Sequence, residues 1–227
     1  MALFLRFQEA NPNAANALLK TLEEAPAHVV LLLTADTVEQ LLPTITSRCE
    51  ILRLRPLPVE RLEVYLKERG AGSEQAQLLA HISGGRSGYA LHLLDNKDAL
   101  KFRKERLDDL LTLLRSTRRE RFAYAEKMAP RIKADKEKVE EDKKRFRETL
   151  LLWLSFWRDL LLRAAGSDAP LVNVDYTEFV DALATRLTLP EVLKLVSEAE
   201  GAIDKLERNV NARLLAEVTL LDWPKVL

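Results

Sequence analysis

The sequence predicts a mainly α-helical protein with a truncated α/β segment at its N-terminal end. Helix formers (Leu, Ala, Glu, Lys and Arg) dominate, and aromatic residues make up only 6% of the chain. Short continuous apolar runs suited to buried strands cluster before Pro56. Beyond Pro56-Leu57-Pro58 the pattern is helical almost without interruption. At 227 residues the chain has room for one large domain or two to three small ones, with ample core.

In chain order, Ala2-Leu3-Phe4-Leu5 reads as a strand buried on both faces of a parallel sheet. Such a strand needs neighbours on either side, so the expectation is that the chain is the C-terminal part of a longer protein. A helix follows from Asn13 to Glu24, with Leu18, Leu19 and Leu22 on its apolar side. Ala25-Pro26 stops it, because proline disfavours helix at the residue before it. His28 to Thr34, β-branched and apolar, is the second predicted buried strand, and Glu50 to Leu54 the third. Between them, Asp36 is a candidate N-cap for a short helix through Leu41, and Pro43 to Cys49 forms a further turn.

Three short helices are then expected over Val59–Arg69, Ser73–Ser83 and Arg86–Asp95, separated by Gly70-Ala71-Gly72 and Gly84-Gly85. Longer helices follow over Ala99–Leu114, over Thr117–Met128 (ended by Ala129-Pro130), over Lys133–Ala165 and over Asp175–Arg186. Thr188-Leu189-Pro190-Glu191 has the capping-box pattern and opens another, which ends or bends near Asn209-Val210-Asn211 before helix resumes to Asp222.

The 35 basic residues balance the 35 acidic ones, so no global field attracts nucleic acid or anionic lipid. A single cysteine, Cys49, excludes an internal disulfide and a cysteine-rich zinc site, and His28, His81 and His92 lack metal-ligand spacing. No apolar run approaches a membrane span, and the apolar start lacks the flanks of a secretory signal. The expectation is a soluble, cytoplasmic protein with no membrane partner.

There is no phosphate-binding loop, dinucleotide fingerprint, zinc-protease pair or nucleophile elbow. Gly84-Gly85-Arg86-Ser87-Gly88 lies between helices rather than after a strand, which makes it a helix stop before a phosphate cradle. Ser47-Arg48-Cys49 has a more informative setting. A lone arginine at a helix end ordinarily solvates or pairs with the last carbonyls. Here the order is NALLKTLEEAP, then HVVLLLT, then LPTITSRC. Together these segments resemble the clamp-loader branch of the AAA+ ATPases, the replication factors that open and load a ring-shaped sliding clamp. The likeness is continuous from Asn16 to about Leu57. It weakens through the three short helices, and returns in NVNARLLAEVTLL near the C-terminus.

The resemblance implies the last part of an AAA+ core over residues 1–55, a three-helix lid over 56–97 and an all-α collar for oligomerisation over 98–227. It also implies that Arg48, supported by Ser47 and Cys49, is supplied in trans to nucleotide on a neighbouring subunit. A planar, permanently charged guanidinium suits that task, because it can fork onto two phosphate oxygens and stabilise charge that grows during transfer. Ser47 would cap or orient the turn, and Cys49 reads as a packing residue rather than a nucleophile.

Departures from the family pattern all fall on the nucleotide-holding side. The phosphate-binding loop is missing, Leu5 and Arg6 stand where the magnesium-binding acidic pair belongs, and Gly88 stands where a motor subunit carries a lid arginine. Arg6 cannot bind magnesium. Thr34 falls in the region of the sensor-1 residue, or is an ordinary strand-end threonine. This pattern resembles the non-hydrolysing, stator-type subunit. It implies no cofactor on this chain, with ATP and magnesium on a neighbour. The implied partners are gamma/tau and delta-type loader subunits, with the sliding clamp and primer-template DNA reached through the complex. Two other readings stay open: a motor-type subunit lacking its ATP-binding half, and a helical DNA- or partner-binding module with a decayed ATPase remnant.

Other features have simpler explanations. Trp153 and Trp157, four apart on one helix face and surrounded by leucines, read as core ahead of a base-stacking platform. Arg115, Arg118, Arg119 and Arg121 read as a solvated face ahead of a phosphate contact. Lys133 to Arg147 reads as an exposed helix laced with ion pairs, and Asn209 and Asn211 as either the collar motif or ordinary capping.

Overall fold

A computed structural model describes residues 1–24, 26, 28–128, 136–208 and 210–226. The chain divides into two compact units, Met1–Arg55 and Pro56–Leu227. The stop at Ala25, the helix end at Ala129-Pro130, the helix start at Lys133 and the role of Asn209 lie outside the described residues.

The first unit is a small β-α-β arrangement. Strand β1 (Ala2–Phe4) leads through a 3₁₀ turn at Phe7–Glu9 to helix α1 (Pro12–Glu23), strand β2 (Leu31–Leu33), a second 3₁₀ turn at Val38–Gln40 and the short helix α2 (Pro43–Thr46). Asn11 caps α1, its Oδ1 accepting the Ala14 N–H at 2.8 Å, and Pro12 takes the first-turn position where a missing N–H costs nothing. The strands run parallel, with Ala2 opposite Leu31 and Phe4 opposite Leu33. Phe7, Ala15 and Ile45 form the core, with Leu18, Leu19, Leu22, Leu33, Leu41 and Cys49 packed around them.

Three expectations fail here. The strands are shorter than their apolar runs, and Leu3, Leu5, Val30 and Leu32 are exposed rather than buried. Burial on both faces requires a packed layer against each, and this unit's small cluster does not supply two. Residues 50–55 form no strand, since no ladder partner exists for them among the described residues. Asp36 caps nothing: Thr37 precedes the 3₁₀ turn without a side-chain cap, and the Asp36 carboxylate instead accepts Gln8 Nε2–H at 3.0 Å.

The second unit opens with helices α3 (Val59–Glu68), α4 (Ser73–Ile82) and α5 (Ser87–Asp95), which share a cluster around Leu62, Leu66, Leu79, Ile82 and Leu93. Gly84 and Gly85 lie at positive φ, 57° and 78°, and stop α4. At Gly85 a Cβ would come within 2.6 Å of both the Leu57 carbonyl oxygen and Pro56 Cβ. The Leu57 N–H donates to the Gly85 carbonyl at 2.8 Å, so the bare glycine backbone is where residues 56–57 fasten to this small bundle.

Helix α6 (Lys97–Arg115) is capped by Asn96, whose Oδ1 accepts the Asp98 and Ala99 N–H groups. Helices α7 (Arg118–Met128), α8 (Lys136–Ala164), α9 (Thr177–Ala184), α10 (Leu189–Glu207) and α11 (Ala212–Leu221) complete the unit. Helix α8 packs against α6, α9 and α10, and α7 packs against α11. The predicted capping box is present: the Thr188 N–H and hydroxyl both donate to the Glu191 carboxylate at 2.7 Å. Trp153 and Trp157 are core residues, each meeting the Trp223 ring edge-on at 4.8 and 5.3 Å between centroids. His81 Nδ1 lies 3.1 Å from the Leu171 carbonyl oxygen, tying α4 to the loop before α9. Among the described residues, no helix is long and apolar enough to cross a membrane.

The solvated-arginine expectation fails at Arg121, which is only 3% exposed. Its guanidinium donates to the carbonyls of Leu113 (3.0 Å), Leu220 (3.0 Å), Trp223 (2.5 Å) and Pro224 (2.9 Å). A rigid fork of donors is well matched to several convergent carbonyls, and here it anchors the C-terminal segment to α7. Arg115, Arg118 and Arg119 are exposed, as expected.

Candidate functional site

Helix α2 is a single turn, started by Pro43 at its first position and ended at Ser47. The chain then leaves through two turn residues, Ser47 and Arg48, held by Ser47 N–H to the Pro43 carbonyl (3.0 Å) and Arg48 N–H to the Ile45 carbonyl (3.1 Å). Ile45, fully buried, pins this turn to the core, so the position of Arg48 is set by packing rather than by loop chance.

The Arg48 side chain is 35% exposed and meets Glu23 on one edge and its own turn on the other. Its Nε–H donates to Glu23 Oε1 at 2.5 Å, and Nη2 pairs with the same oxygen. Its Nη1 donates to the Thr44 carbonyl at 3.0 Å and to Ser47 Oγ at 3.2 Å. Ser47 Oγ in turn donates to the Thr44 carbonyl at 3.3 Å. Ser47 therefore orients the arginine as well as ending the helix. Cys49 is half-buried against the Phe7–Ala15–Ile45 cluster, and burial pushes its thiol above the ordinary value. A thiol held protonated is a poor nucleophile, which fits a packing role.

Glu23 is the residue that reading the sequence did not single out. It is the last residue of α1, separated from Arg48 by 25 positions, and no local spacing signals the pairing. The doubled glutamate Glu23-Glu24 before Pro26 reads as an ordinary helix end.

On the opposite question, what could hold nucleotide here, the geometry around Arg6 is specific. Arg6 sits at φ 53°, ψ 52°, the left-handed region that side chains rarely adopt. Its N–H donates to Thr34 Oγ1 at 3.0 Å, and its guanidinium pairs with Glu9 at 2.6 Å. The Thr34 hydroxyl thus accepts a backbone bond that closes the end of β2 over the end of β1. Gly88, in the first turn of α5, has open space where a Cβ would go, so its lack of a side chain is not enforced by packing. Among the described residues, no group of three or more His, Cys, Asp and Glu side chains could hold a metal ion.

Comparison with known proteins adds independent information. Residues 2–58 match the family "DNA polymerase III, delta subunit", and residues 131–225 match "DNA polymerase III, delta subunit, C terminal". The chain is 27% identical over 209 residues to DNA polymerase III subunit delta' of Bacillus subtilis, covering 92% of this chain and 61% of that relative. The delta' subunit of Escherichia coli is 43% identical over 81 residues, 35% of this chain and 24% of the relative. DNA polymerase III subunit tau of Salmonella typhimurium is 44% identical over 86 residues, 35% of this chain and 13% of the relative. The chain thus spans about three fifths of the length of the first of these and smaller shares of the others.

Proposed function

We propose that this chain, whose residues 2–58 and 131–225 match DNA polymerase III delta-subunit families, acts in DNA replication as a non-hydrolysing, delta'-like clamp-loader subunit. In this reading it lends Arg48 to ATP and magnesium held by a neighbouring gamma/tau-type subunit. The carrying observation is the placement of Arg48: a packed single-turn helix delivers a permanently charged guanidinium that remains one-third exposed. Nucleotide binding by this chain itself is disfavoured by the left-handed Arg6, which stands where the resemblance places a magnesium-binding carboxylate. A delta' relative is matched over 92% of the chain, which supports the stator-type reading.

Residues 56–97 serve in this proposal as the lid and residues 98–227 as the collar that joins delta- and gamma/tau-type subunits. The complex, rather than this chain, meets the sliding clamp and primer-template DNA. A helical DNA-binding module is the weaker reading, since Trp153, Trp157 and Arg121, the side chains best suited to bases and phosphates, lie inside the core.

The test is Arg48→Ala in the full-length protein assembled with its partner subunits. Loss of a trans arginine in comparable phosphoryl transfer costs about 10³–10⁵ in rate, so turnover should collapse while assembly, followed by co-migration, persists. Unchanged turnover in an intact assembly rejects the proposal. ATP binding by the full-length subunit alone would reject its non-hydrolysing part.

A further inference from the structure

We infer that Glu23 is a resident screen for Arg48: a carboxylate that occupies the guanidinium's fork until a phosphate displaces it. The inference rests on the reading of Arg48 as an arginine supplied in trans and adds a step to it. A guanidinium carries five N–H donors. Glu23 Oε1 accepts the Nε–H and forms an ion pair with Nη2, while Nη1 is directed to the Thr44 carbonyl and Ser47 Oγ. The Nε/Nη2 edge is thus occupied by the carboxylate and Nη1 by its own turn, and bidentate recognition of a phosphate needs two parallel donors. Arg48 as it stands can touch a phosphate but cannot fork onto it.

One edge of the guanidinium must therefore be released, and the two edges are held differently. The Nη1 acceptors lie on the same turn as Arg48, at positions 44 and 47, and travel with it. Glu23 lies on α1, its side chain is 47% exposed, and it can swing into water at little cost. An incoming phosphate also repels Glu23, as two like charges compete for one cation. Displacing it frees the Nε/Nη2 edge for a side-on fork, while Thr44 and Ser47 keep the guanidinium aimed. Glu23 thus screens the charge in the absence of nucleotide and leaves the arginine in place when nucleotide arrives.

Glu23→Gln keeps the side chain's shape and removes its charge. In the loader assembled from full-length subunits, turnover at subsaturating ATP should rise by roughly two- to five-fold, the range of a partly exposed ion pair. That gain should vanish in an Arg48→Ala background, because the two residues act through one contact. In the 227-residue chain, exchange of the Arg48 Nε–H with water, followed by NMR, should speed up in Glu23→Gln. Turnover unchanged or lowered by Glu23→Gln, with Arg48→Ala still collapsing the rate, overturns the Glu23 inference and leaves the trans arginine standing. A gain that survives Arg48→Ala overturns it as well, since Glu23 would then act elsewhere. An Arg48→Ala assembly with normal turnover removes both.

Discussion

Among the described residues of Met1–Arg55 the buried hydrophobics are Phe7, Ala15 and Ile45, while Leu3, Leu5, Leu52 and Leu54 face solvent. In Pro56–Leu227 one cluster runs from Leu107 on α6 to Trp223 beyond α11, and a second closes the three short helices. The same contrast holds for single arginines. Arg121 in the second unit spends its guanidinium on four backbone carbonyls and holds the C-terminal segment down. Arg48 in the first unit meets one carboxylate and the atoms of its own turn, and stays within reach of solvent. The lesson is that the second unit closes two cores of its own and commits the Arg121 guanidinium to them, while still exposing apolar residues such as Val64, Leu193, Leu214 and Val218. The first unit holds apolar surface and a charge that its own fold does not use up.

Substitutions can break that comparison. Trp157 is fully buried against Phe156 and Trp223, so Trp157→Ala should cost about 3–5 kcal/mol in urea unfolding of the chain. A loss below 1 kcal/mol would mean the second unit's core is looser than its packing implies. Gly85→Ala is next. Positive φ and the 2.6 Å approach of Leu57 and Pro56 both oppose a Cβ, so a loss of about 1–3 kcal/mol is expected. Gly88→Ala, with open space around it, should be neutral or mildly stabilising by the same assay.

The capping box sharpens the contrast through pH. The Thr188 backbone N–H, and after it the Thr188 hydroxyl, hold the Glu191 carboxyl below its ordinary value of 4.5. A carboxyl depressed in the folded state contributes stability above 4.5 that is lost as pH falls through the folded value. Glu191→Gln should therefore lie below the parent in urea midpoint at pH 6, with the gap closing as pH falls below 4.5. The smallest effect belongs to the first unit: Leu54 is 95% exposed, so Leu54→Ser should change stability by less than about 0.5 kcal/mol. A larger loss would show that Leu54 is covered in solution.

Much of the helical part was legible because its signals are local. The three short helices fall within a residue or two of their expected bounds, since glycine stops and apolar spacing act over a few positions. The Thr188–Glu191 box and the Asn211 cap, whose Oδ1 accepts the Arg213 and Leu214 N–H groups, are local in the same way. The strands were less legible. Glu50–Leu54 carries strand-like residues, yet a strand exists only when another backbone supplies its ladder, and none of the described residues does so.

The candidate site divides along the same line. The sequence alone determined that an arginine follows a proline-started turn between apolar segments, and a likeness across those segments marked it as the residue of interest. Tertiary structure alone decided that Glu23 meets that arginine and that Arg121, drawn from a run of similar arginines, is buried rather than solvated. Caps, stops and periodicity depend on neighbours within one turn of helix. The partner of a charge depends on which distant backbone the core brings beside it.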